Sequence, residues 1–262
     1  MHAVASTWTA RRSRRRPASR LGGWRAALFA GCVLGLAVLF AVNWLYQVVR
    51  KPAEVFAPLS TTLSMTPGAT WETYRPLFEA HSTDILTPEL LAALAQVEGE
   101  GNPLARTYWR WRFSLNPFEI YRPASTAVGM LQITDGTFAT ARKYCIHDHQ
   151  VVSDGPWYDF GSCWFNGLYA RVLPSHAIEL TAAYLDETVV DIVGRHRSAK
   201  ARLQQRQDLA AVVHLCGARR GEAFVERRFR AAPGERCGDH DLRQYLGRVN
   251  LLKRQFARLR AA

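Results

Sequence analysis

The stretch that decides the fold is a short apolar run at residues 87–98, which reads Thr-Pro-Glu-Leu-Leu-Ala-Ala-Leu-Ala-Gln-Val-Glu. Thr87 is a favourable N-cap and Pro88 suits the first helical position, while glycines follow the run as stop signals. The run therefore predicts a helix of about three turns. Leu91, Leu94 and Glu98 fall on one face of this helix, so a carboxylate lies on its apolar stripe.

Glu98 has two interpretations on this helix. Burial and the negative end of the helix dipole both disfavour an ionised carboxylate, and this is the setting of a general acid that must hold a proton at neutral pH. The alternative is a glutamate at a frayed helix end that reaches water. Taken alone, the helix favours the second interpretation.

The net charge of +12 is concentrated at the amino end of the chain. Seven arginines lie within residues 1–25, Arg50 and Lys51 follow, and the first acidic residue is Glu54. Nine of the twelve net charges therefore precede residue 52, and the remaining chain is only mildly basic. A nucleic-acid partner needs a basic face on the globular part, so this class of function is not expected.

An uncharged apolar run at residues 26–49 separates Arg25 from Arg50. At about 1.5 Å per residue it spans roughly 36 Å, enough to cross a hydrocarbon core of about 30 Å. Trp24, Trp44 and Tyr46 stand near its ends, where amphipathic aromatics suit the membrane interface. The arginines before it predict that this end stays in the cytoplasm and that the rest of the chain lies outside.

Two processing alternatives compete with a retained span. Residues 29–32 are similar to a lipobox, but the apolar run before Cys32 is short and continues past it. A cleaved signal peptide needs a small-residue cleavage site, and none follows the run closely. We therefore expect a cytoplasmic basic segment at 1–25, a transmembrane helix at 26–49, a linker at 50–69 and one domain at 70–262.

The cysteines outside the span predict two disulfides, since four of the five lie there and an even number in an oxidising compartment indicates pairing. Three connectivities are possible. We prefer the one in which each bond closes a local loop, which joins Cys145 to Cys163 and Cys216 to Cys237. A metal site built on Cys145, His147 and His149 matches no zinc pattern, so no metal is expected.

Helical periodicity recurs through the rest of the chain. It predicts helices at residues 71–81, 130–144, 174–195, 205–216 and 239–260, and a mainly α domain, because no alternating strand series is present. The last helix carries an apolar stripe that is most simply core packing: Leu242, Tyr245, Val249, Leu252, Phe256 and Leu259. Residues 102–125 mix aromatics with arginines, which either stack on sugars or bases or bury against the domain.

Three stretches resemble the motifs of the soluble-lytic-transglycosylase-like family, which has a lysozyme fold. The family's Glu-Ser-x-x-Asn-Pro is matched at residues 98–103 by Glu-Gly-Glu-Gly-Asn-Pro. Its Gly-Leu-Met-Gln-Ile run is similar to Ser-Thr-Ala-Val-Gly-Met-Leu-Gln-Ile at residues 125–133. Its Ala-Ala-Tyr-Asn-x-Gly is similar to Ala-Ala-Val-Val-His-Leu-Cys-Gly at residues 210–217. The resemblance covers residues 71–225 and follows the family's order.

This resemblance implies a lysozyme-like lytic transglycosylase that acts on peptidoglycan strands. Such an enzyme cleaves the β-1,4 bond between N-acetylmuramic acid and N-acetylglucosamine and leaves a 1,6-anhydro ring, with Glu98 acting first as acid and then as base. No cofactor is implied. The expected location is the bacterial inner membrane, crossed once at residues 26–49, with the domain in the periplasm. We hypothesise that the anchor recruits it to a secretion or conjugation assembly.

The second motif supplies the residues expected to bind substrate. Ser125 is expected to orient Glu98, and Gln132 to hydrogen-bond an acetamido or hydroxyl group of the sugar. The alternatives are an N-cap for Ser125 and a helix-surface amide for Gln132. The resemblance places the remaining sugar contacts in the same segment: Gly129, Met130 and Ile133.

The chain departs from the family pattern at three places. Glu98 and Gly129 are 31 residues apart, longer than is usual in the family, and the aromatic stretch fills the difference. Gly99 stands where the family has Ser. The third motif also lacks the Tyr that hydrogen-bonds the catalytic Glu, so either His214 takes that role or it is a core residue.

Two other functions stay open from sequence. A lysozyme-type hydrolase needs a second carboxylate to position water, and Asp135 is the candidate. The other function is a catalytically inactive wall-binding scaffold of a secretion or conjugation system. The Tyr missing from the third motif favours this alternative.

Overall fold

The computed structural model describes residues 20–56, 62–159, 161–196 and 200–262. Internal contacts divide the chain after residue 46 into two units. The first unit carries most of helix α1 (Arg20–Arg50), and the second, from Gln47 onward, carries all the other elements. Most of the basic segment predicted at residues 1–25 lies outside the described residues.

Helix α1 contains one segment, Trp24–Arg50, that is long and apolar enough to cross a membrane, with a mean hydropathy of 2.3 over an 18-residue stretch. It covers the span predicted at 26–49. The stretch predicted as a linker at 50–69 contains a 3₁₀ turn at Pro52–Phe56, in which Glu54 is fully buried. Its last residues already belong to the next helix, which starts at Pro67.

The second unit is mainly helical, as predicted. Its helices are α2 (Pro67–Ala80), α3 (Pro88–Gly99), α4 (Asp135–Ala141), α5 (Pro174–Arg195), α6 (Leu203–Cys216), α7 (Ala218–Glu226) and α8 (Leu242–Ala261). Helix α7 is not among the predicted helices. Three antiparallel hairpins lie between them: β1 (Trp109–Trp111) with β2 (Tyr121–Pro123), β3 (Tyr144–His147) with β4 (Gln150–Ser153), and β5 (Arg236–Cys237) with β6 (His240–Asp241).

Helix α3 lies at the centre of the core, packed against α2 and α8. Its leucines Leu91 and Leu94 are fully buried, as their positions on the apolar stripe predict. The stripe predicted on α8 is buried from Leu242 through Phe256, with Leu259 partly buried against the same cluster. Helices α5, α6 and α7 complete the core. The carboxyl end of α3, where Glu98 lies, is thus held by apolar packing on several sides.

The prediction of a helix at residues 130–144 is correct only for its central part, Asp135–Ala141. The backbone turns with positive φ at Gly129 (81°) and Gln132 (45°), which no helix accommodates. Helix α4 begins only at Asp135, where the Thr134 hydroxyl accepts the Thr137 N–H as an N-cap. The chain then enters strand β3 at Tyr144.

Both disulfides have the preferred connectivity. Cys145 in β3 bonds to Cys163, and Cys216 at the end of α6 bonds to Cys237 in β5, with Cα atoms 5.4 Å apart in each pair. Because Cys145 is in a disulfide, its sulfur is not free to join a metal site with His147 and His149. The second bond ties the end of α6 to the hairpin that leads directly into α8.

Candidate active site

Glu98 lies in the last turn of α3, at a well-formed helix end. Glu100 adopts the left-handed conformation with φ of 52°, and the Gly101 N–H donates to the Ala95 carbonyl. Such an end satisfies carbonyls that would otherwise lack partners. The side chain of Glu98 is only 15% exposed, so it is not the solvated residue of a frayed end.

The closest polar partner of Glu98 is the phenol of Tyr245 on α8. Its hydroxyl donates to Glu98 Oε1 at 2.5 Å, across 147 residues of sequence. Burial, and then the charge of Glu98, raise the pKa of Tyr245 well above its usual value. The hydroxyl therefore keeps its proton at every pH near neutrality and acts as a fixed hydrogen-bond donor.

The assignment of Tyr245 to core packing alone is therefore incomplete. Its ring is 5% exposed and lies in the predicted stripe, but its hydroxyl reaches the carboxylate. One signal was present in the sequence: Tyr245 is the only residue of that stripe with a polar group, and a buried phenol normally finds a partner. Sequence could not show which partner.

His214 also lies beside Glu98, with Nε2 3.8 Å from Oε1. This distance is too long for a hydrogen bond. Burial lowers the pKa of His214, against the opposing effects of the Glu98 charge and of a hydrogen bond to the Leu131 backbone. The imidazole is therefore neutral near pH 7 and lies beside the carboxylate without a hydrogen bond to it. The hydrogen bond to Glu98 that was expected from His214 comes from Tyr245.

Position 99 requires glycine because the backbone of the second motif passes close to its Cα. A Cβ at this position would lie 2.8 Å from both the Cα and the carbonyl oxygen of Met130. The space beside Gly99 is thus filled by backbone and not left open for a sugar. This contact is a physical reason for glycine where the family has serine.

The second motif forms a tight turn behind Glu98. Met130 is fully buried, so its side chain packs in the core instead of lining a sugar subsite, and Ile133 is 2% exposed. Gly129 approaches the Arg171 backbone so closely that a Cβ would lie 2.3 Å from its carbonyl oxygen. The Gln132 amide donates to the carbonyls of Ala105 and Gly129.

A small cavity joins this turn to His214. It measures about 230 Å³, and Gln132, Ile133 and His214 are among its lining residues. Gln132 is therefore not a helix-surface amide, since its side chain holds the turn and borders a cavity. Its expected contact with a sugar stays a prediction.

Ser125 does not orient Glu98 in this structure. Its side chain is exposed, and its hydroxyl accepts the N–H of Ala127. Among the described residues no hydrogen bond joins it to Glu98. The local turn at the start of the second motif therefore accounts for this hydroxyl, which is close to the capping alternative.

Glu98 lines a groove of about 660 Å³. One side is the end of α3, and the other comes from the aromatic stretch, which folds as a hairpin that we call the aromatic arm, residues 107–123. The lining residues are Ser64, Val97, Glu98, Gly99, Glu100, Asn102, Ala105, Arg106, Thr107, Tyr108, Trp109, Tyr121 and Arg248. The volume is in the range of clefts that bind small or oligomeric ligands.

The aromatic arm presents rings to the groove. The rings of Trp109 and Tyr121 lie 5.2 Å apart, centroid to centroid, and both line it. The Tyr108 hydroxyl donates to the carboxylate of Asp239 at 2.8 Å, which joins the arm to the turn between β5 and β6. Of the two alternatives that sequence leaves open for these aromatics, complete burial against the domain does not hold for Trp109 and Tyr121, because both are half-buried and border the groove.

Asp135, the carboxylate that a hydrolase would need, is engaged elsewhere. It forms an ion pair with Arg171 at 2.7 Å and is not among the residues that line the groove. Glu100 lines the groove but is exposed. Glu98 is therefore the one groove carboxylate among the described residues that is sheltered from water and held by a hydrogen bond.

Comparisons with known proteins give no relative. No family model, curated protein or solved structure matches the chain.

The geometry suits proton transfer by one carboxyl group. Oε1 is fixed by the Tyr245 hydroxyl, and no described residue donates a hydrogen bond to Oε2. One oxygen is therefore anchored while the other stays available to a ligand in the groove. A group held in this way can give a proton to a substrate oxygen and later take one back.

Proposed function

We propose that this protein is a membrane-anchored lytic transglycosylase that cleaves the β-1,4 bond between N-acetylmuramic acid and N-acetylglucosamine in peptidoglycan. The observation that carries the proposal is the Glu98 carboxyl, hydrogen-bonded through one oxygen to a buried phenol and bordering an aromatic-lined groove. The sequence motifs that resemble the lysozyme-fold family at this same position support it, and the mainly helical second unit is compatible with that fold.

The proposed reaction needs one carboxyl group for both proton transfers. Protonated Glu98 gives its proton to the glycosidic oxygen as the bond from the muramoyl C1 breaks. The resulting carboxylate then takes the proton of the muramoyl 6-hydroxyl as that oxygen bonds to C1. The products are two chains: one has a free 4-hydroxyl, and the other ends in a 1,6-anhydro ring. Glu98 is protonated again. No water is consumed, so the atoms balance without a co-reactant.

The arrangement of carboxylates favours this reaction over hydrolysis. Ordinary glycosidases use two carboxylates that flank the scissile bond. Here Asp135 is paired with Arg171, and Glu100 is solvated. The Tyr245 hydroxyl removes the observation that favoured an inactive scaffold, because the phenol missing from the third motif is supplied by α8.

The proposed location is the inner membrane of a bacterium, with the second unit in the periplasm. Helix α1 is apolar enough to cross a membrane, and two disulfides are typical of an oxidising compartment. The arginines before the span favour a cytoplasmic amino end. Peptidoglycan is the substrate available on the other side.

The test is the analysis of products from purified sacculi digested by the full chain in detergent. Wild type is compared with Glu98→Gln, which keeps the shape of the side chain but has no acidic proton. The matched control is Glu72→Gln, at an exposed glutamate of α2 outside the groove. We expect wild type and the control to release muropeptides with 1,6-anhydro ends, and Glu98→Gln to release none.

Two other outcomes would identify a different function. Muropeptides with ordinary reducing ends would identify a hydrolase. No release by wild type, with binding to sacculi retained, would identify the scaffold. Either result would overturn the proposed reaction.

A further inference from the structure

The tip of the aromatic arm exposes large apolar side chains that the groove does not use. Phe113 and Leu115 are fully exposed, and Trp111 is 67% exposed. None of the three lines the groove. Exposed apolar groups clustered on one projecting loop are typical of a surface that contacts an apolar partner.

The same arm is fastened to the residues at the carboxyl end of α1. The Gln47 amide donates to the Phe118 carbonyl at 2.6 Å, and Arg50 pairs with Glu119 at 3.0 Å. The Lys51 ammonium donates to the Ser125 carbonyl just beyond the arm at 3.2 Å. The loop of the arm therefore lies beside the last turn of the helix.

A buried carboxylate strengthens this attachment. Glu54, directly after α1, is fully buried and pairs with Lys51 at 3.1 Å and with Arg106 at 2.9 Å. It also accepts the indole N–H of Trp109 at 2.9 Å. Since Trp109 is in β1, this strand and the turn that follows α1 share one polar cluster.

This attachment joins the arm to residues 47–50, which belong to the same unit as the arm and end the apolar segment. Gln47 lies within the segment Trp24–Arg50, three residues before its end, which is about 4.5 Å along a helix axis. When that segment crosses a bilayer, its last turn lies at the interface. A loop hydrogen-bonded to Gln47 then lies at the interface too.

We propose that the tip of the aromatic arm inserts into the interfacial layer of the membrane that α1 crosses. Phe113 and Leu115 contact the upper acyl chains, and Trp111 lies at the level of the headgroups, where indole rings are enriched. Arg110 and Arg112, on either side of Trp111, are exposed and reach lipid phosphates. The proposal rests on the proposed membrane span and is independent of the proposed activity.

One consequence follows for the groove. Trp109 and Tyr121, which line it, belong to the same hairpin as the inserted tip. With the tip inserted, this wall of the groove lies close to the bilayer surface. The substrate reached would then be glycan that lies close to the membrane surface.

The test uses three versions of the full chain, each with an environment-sensitive fluorophore on one free cysteine. Each version is reconstituted in vesicles of phosphatidylethanolamine and phosphatidylglycerol. The first label is on Cys32, which is in the span and outside both disulfides. The second is on Leu115→Cys and the third on Glu226→Cys, at an exposed position of α7, each combined with Cys32→Ser. Quenching is measured with spin-labelled lipids, shallow or deep in the acyl layer, and with aqueous iodide.

We expect deep lipid quenching at Cys32 and shallow lipid quenching with a blue-shifted emission at residue 115, while residue 226 responds to iodide. If Cys32 is quenched by lipid and residue 115 behaves like residue 226, the arm proposal is overturned and the span stands. If Cys32 is not quenched by lipid, the span fails and the arm proposal with it. Because all three positions are exposed, the labels do not disturb the core.

Discussion

The centre around Glu98 and the aromatic arm are held by different forces. At the centre, α3, α6 and α8 bring Glu98, His214 and Tyr245 together through buried apolar packing. The arm is attached by a few ion pairs and hydrogen bonds to residues 47–54, and its tip faces outward. A change of volume should therefore damage the centre, whereas a loss of polar contacts should only loosen the arm.

This difference separates positioning of the acid from binding of partners. The Tyr245 hydroxyl and the His214 imidazole both lie beside Oε1 of Glu98, and neither belongs to the arm, so the position of this oxygen does not depend on the arm. The arm supplies aromatic surface to the groove and apolar surface beyond it. Variants at the centre should change the rate of cleavage, and variants in the arm should change binding.

The largest effect is expected from the disulfide that closes the centre. Replacing Cys216 and Cys237 together by serine frees the end of α6 from the hairpin that leads into α8. Since the bond closes a loop with a sequence separation of 21 residues, the loss should be about 3 kcal/mol of unfolding free energy. Urea unfolding of the full chain in detergent measures it.

The matched control is the double serine variant of Cys145 and Cys163, with a similar separation of 18 residues. It should cost a similar free energy of unfolding and yet keep its activity, because this bond does not join the elements that carry Tyr245 and His214. The Cys216 and Cys237 variant should lose activity as well, so equal activities in the two double variants would contradict the role given to the bond between α6 and β5.

Gly99→Ala should give the next largest effect. The added Cβ would lie 2.8 Å from the Met130 backbone, and relief of such overpacking costs about 1–3 kcal/mol. The matched control is Gly247→Ala, in an exposed helical position of α8 with open space around the Cβ. It should stabilise the protein by about 0.5–1 kcal/mol, because alanine is the better helix former. Urea unfolding of each variant beside wild type measures the expected loss of stability in Gly99→Ala and the expected gain in Gly247→Ala.

The sequence predicts the centre only where the signals are local. The Pro at the start of α3, the glycines at its end and the 3.6-residue periodicity place Glu98 correctly, and the stripe of α8 is correct as well. The pairing of Tyr245 with Glu98 spans 147 residues, and no local pattern encodes it. The turn at Gly129 and Gln132 was missed because a positive φ at a glutamine is not visible in composition.

The arm is predicted less well for a related reason. Its strands are only three residues long, so the short alternation of aromatic residues and arginines at residues 109–113 was missed as a strand signal. Its attachment depends on a buried cluster around Glu54, in a segment that reads as a linker. A single buried carboxylate leaves no periodic signal.

Tyr245→Phe should lower the cleavage rate about tenfold, which is about 1.4 kcal/mol. The variant removes the hydroxyl that fixes Glu98 Oε1 and keeps the ring in the core. Its control is Tyr74→Phe, at another buried ring, in α2, which should keep the wild-type rate. The release of anhydro-muropeptides over time measures both. An unchanged rate in Tyr245→Phe would show that the phenol does not position the acid.

His214 should make the unfolding free energy depend on pH. Burial lowers its pKa in the folded protein, so the unfolded chain binds the proton more readily. The stabilisation from the neutral imidazole is present above the ordinary value of about 6.5 and is lost as the pH falls. Wild type should therefore lose stability between pH 7 and 5.5 more steeply than His214→Gln, by at most about 1.4 kcal/mol per pH unit. Urea unfolding at several pH values compares the two slopes.

The smallest effect should come from the arm. Trp109→Ala removes a ring that lines the groove, and loss of one aromatic contact of about 1 kcal/mol should raise the KM for soluble glycan chains about fivefold. The kcat should stay close to wild type, because Glu98 and Tyr245 keep their contact. The control is Trp157→Ala, at an exposed tryptophan outside the groove, with both constants unchanged. A fall in kcat at constant KM would contradict this, because it would mean that the ring contributes only in the transition state and not to binding of the glycan.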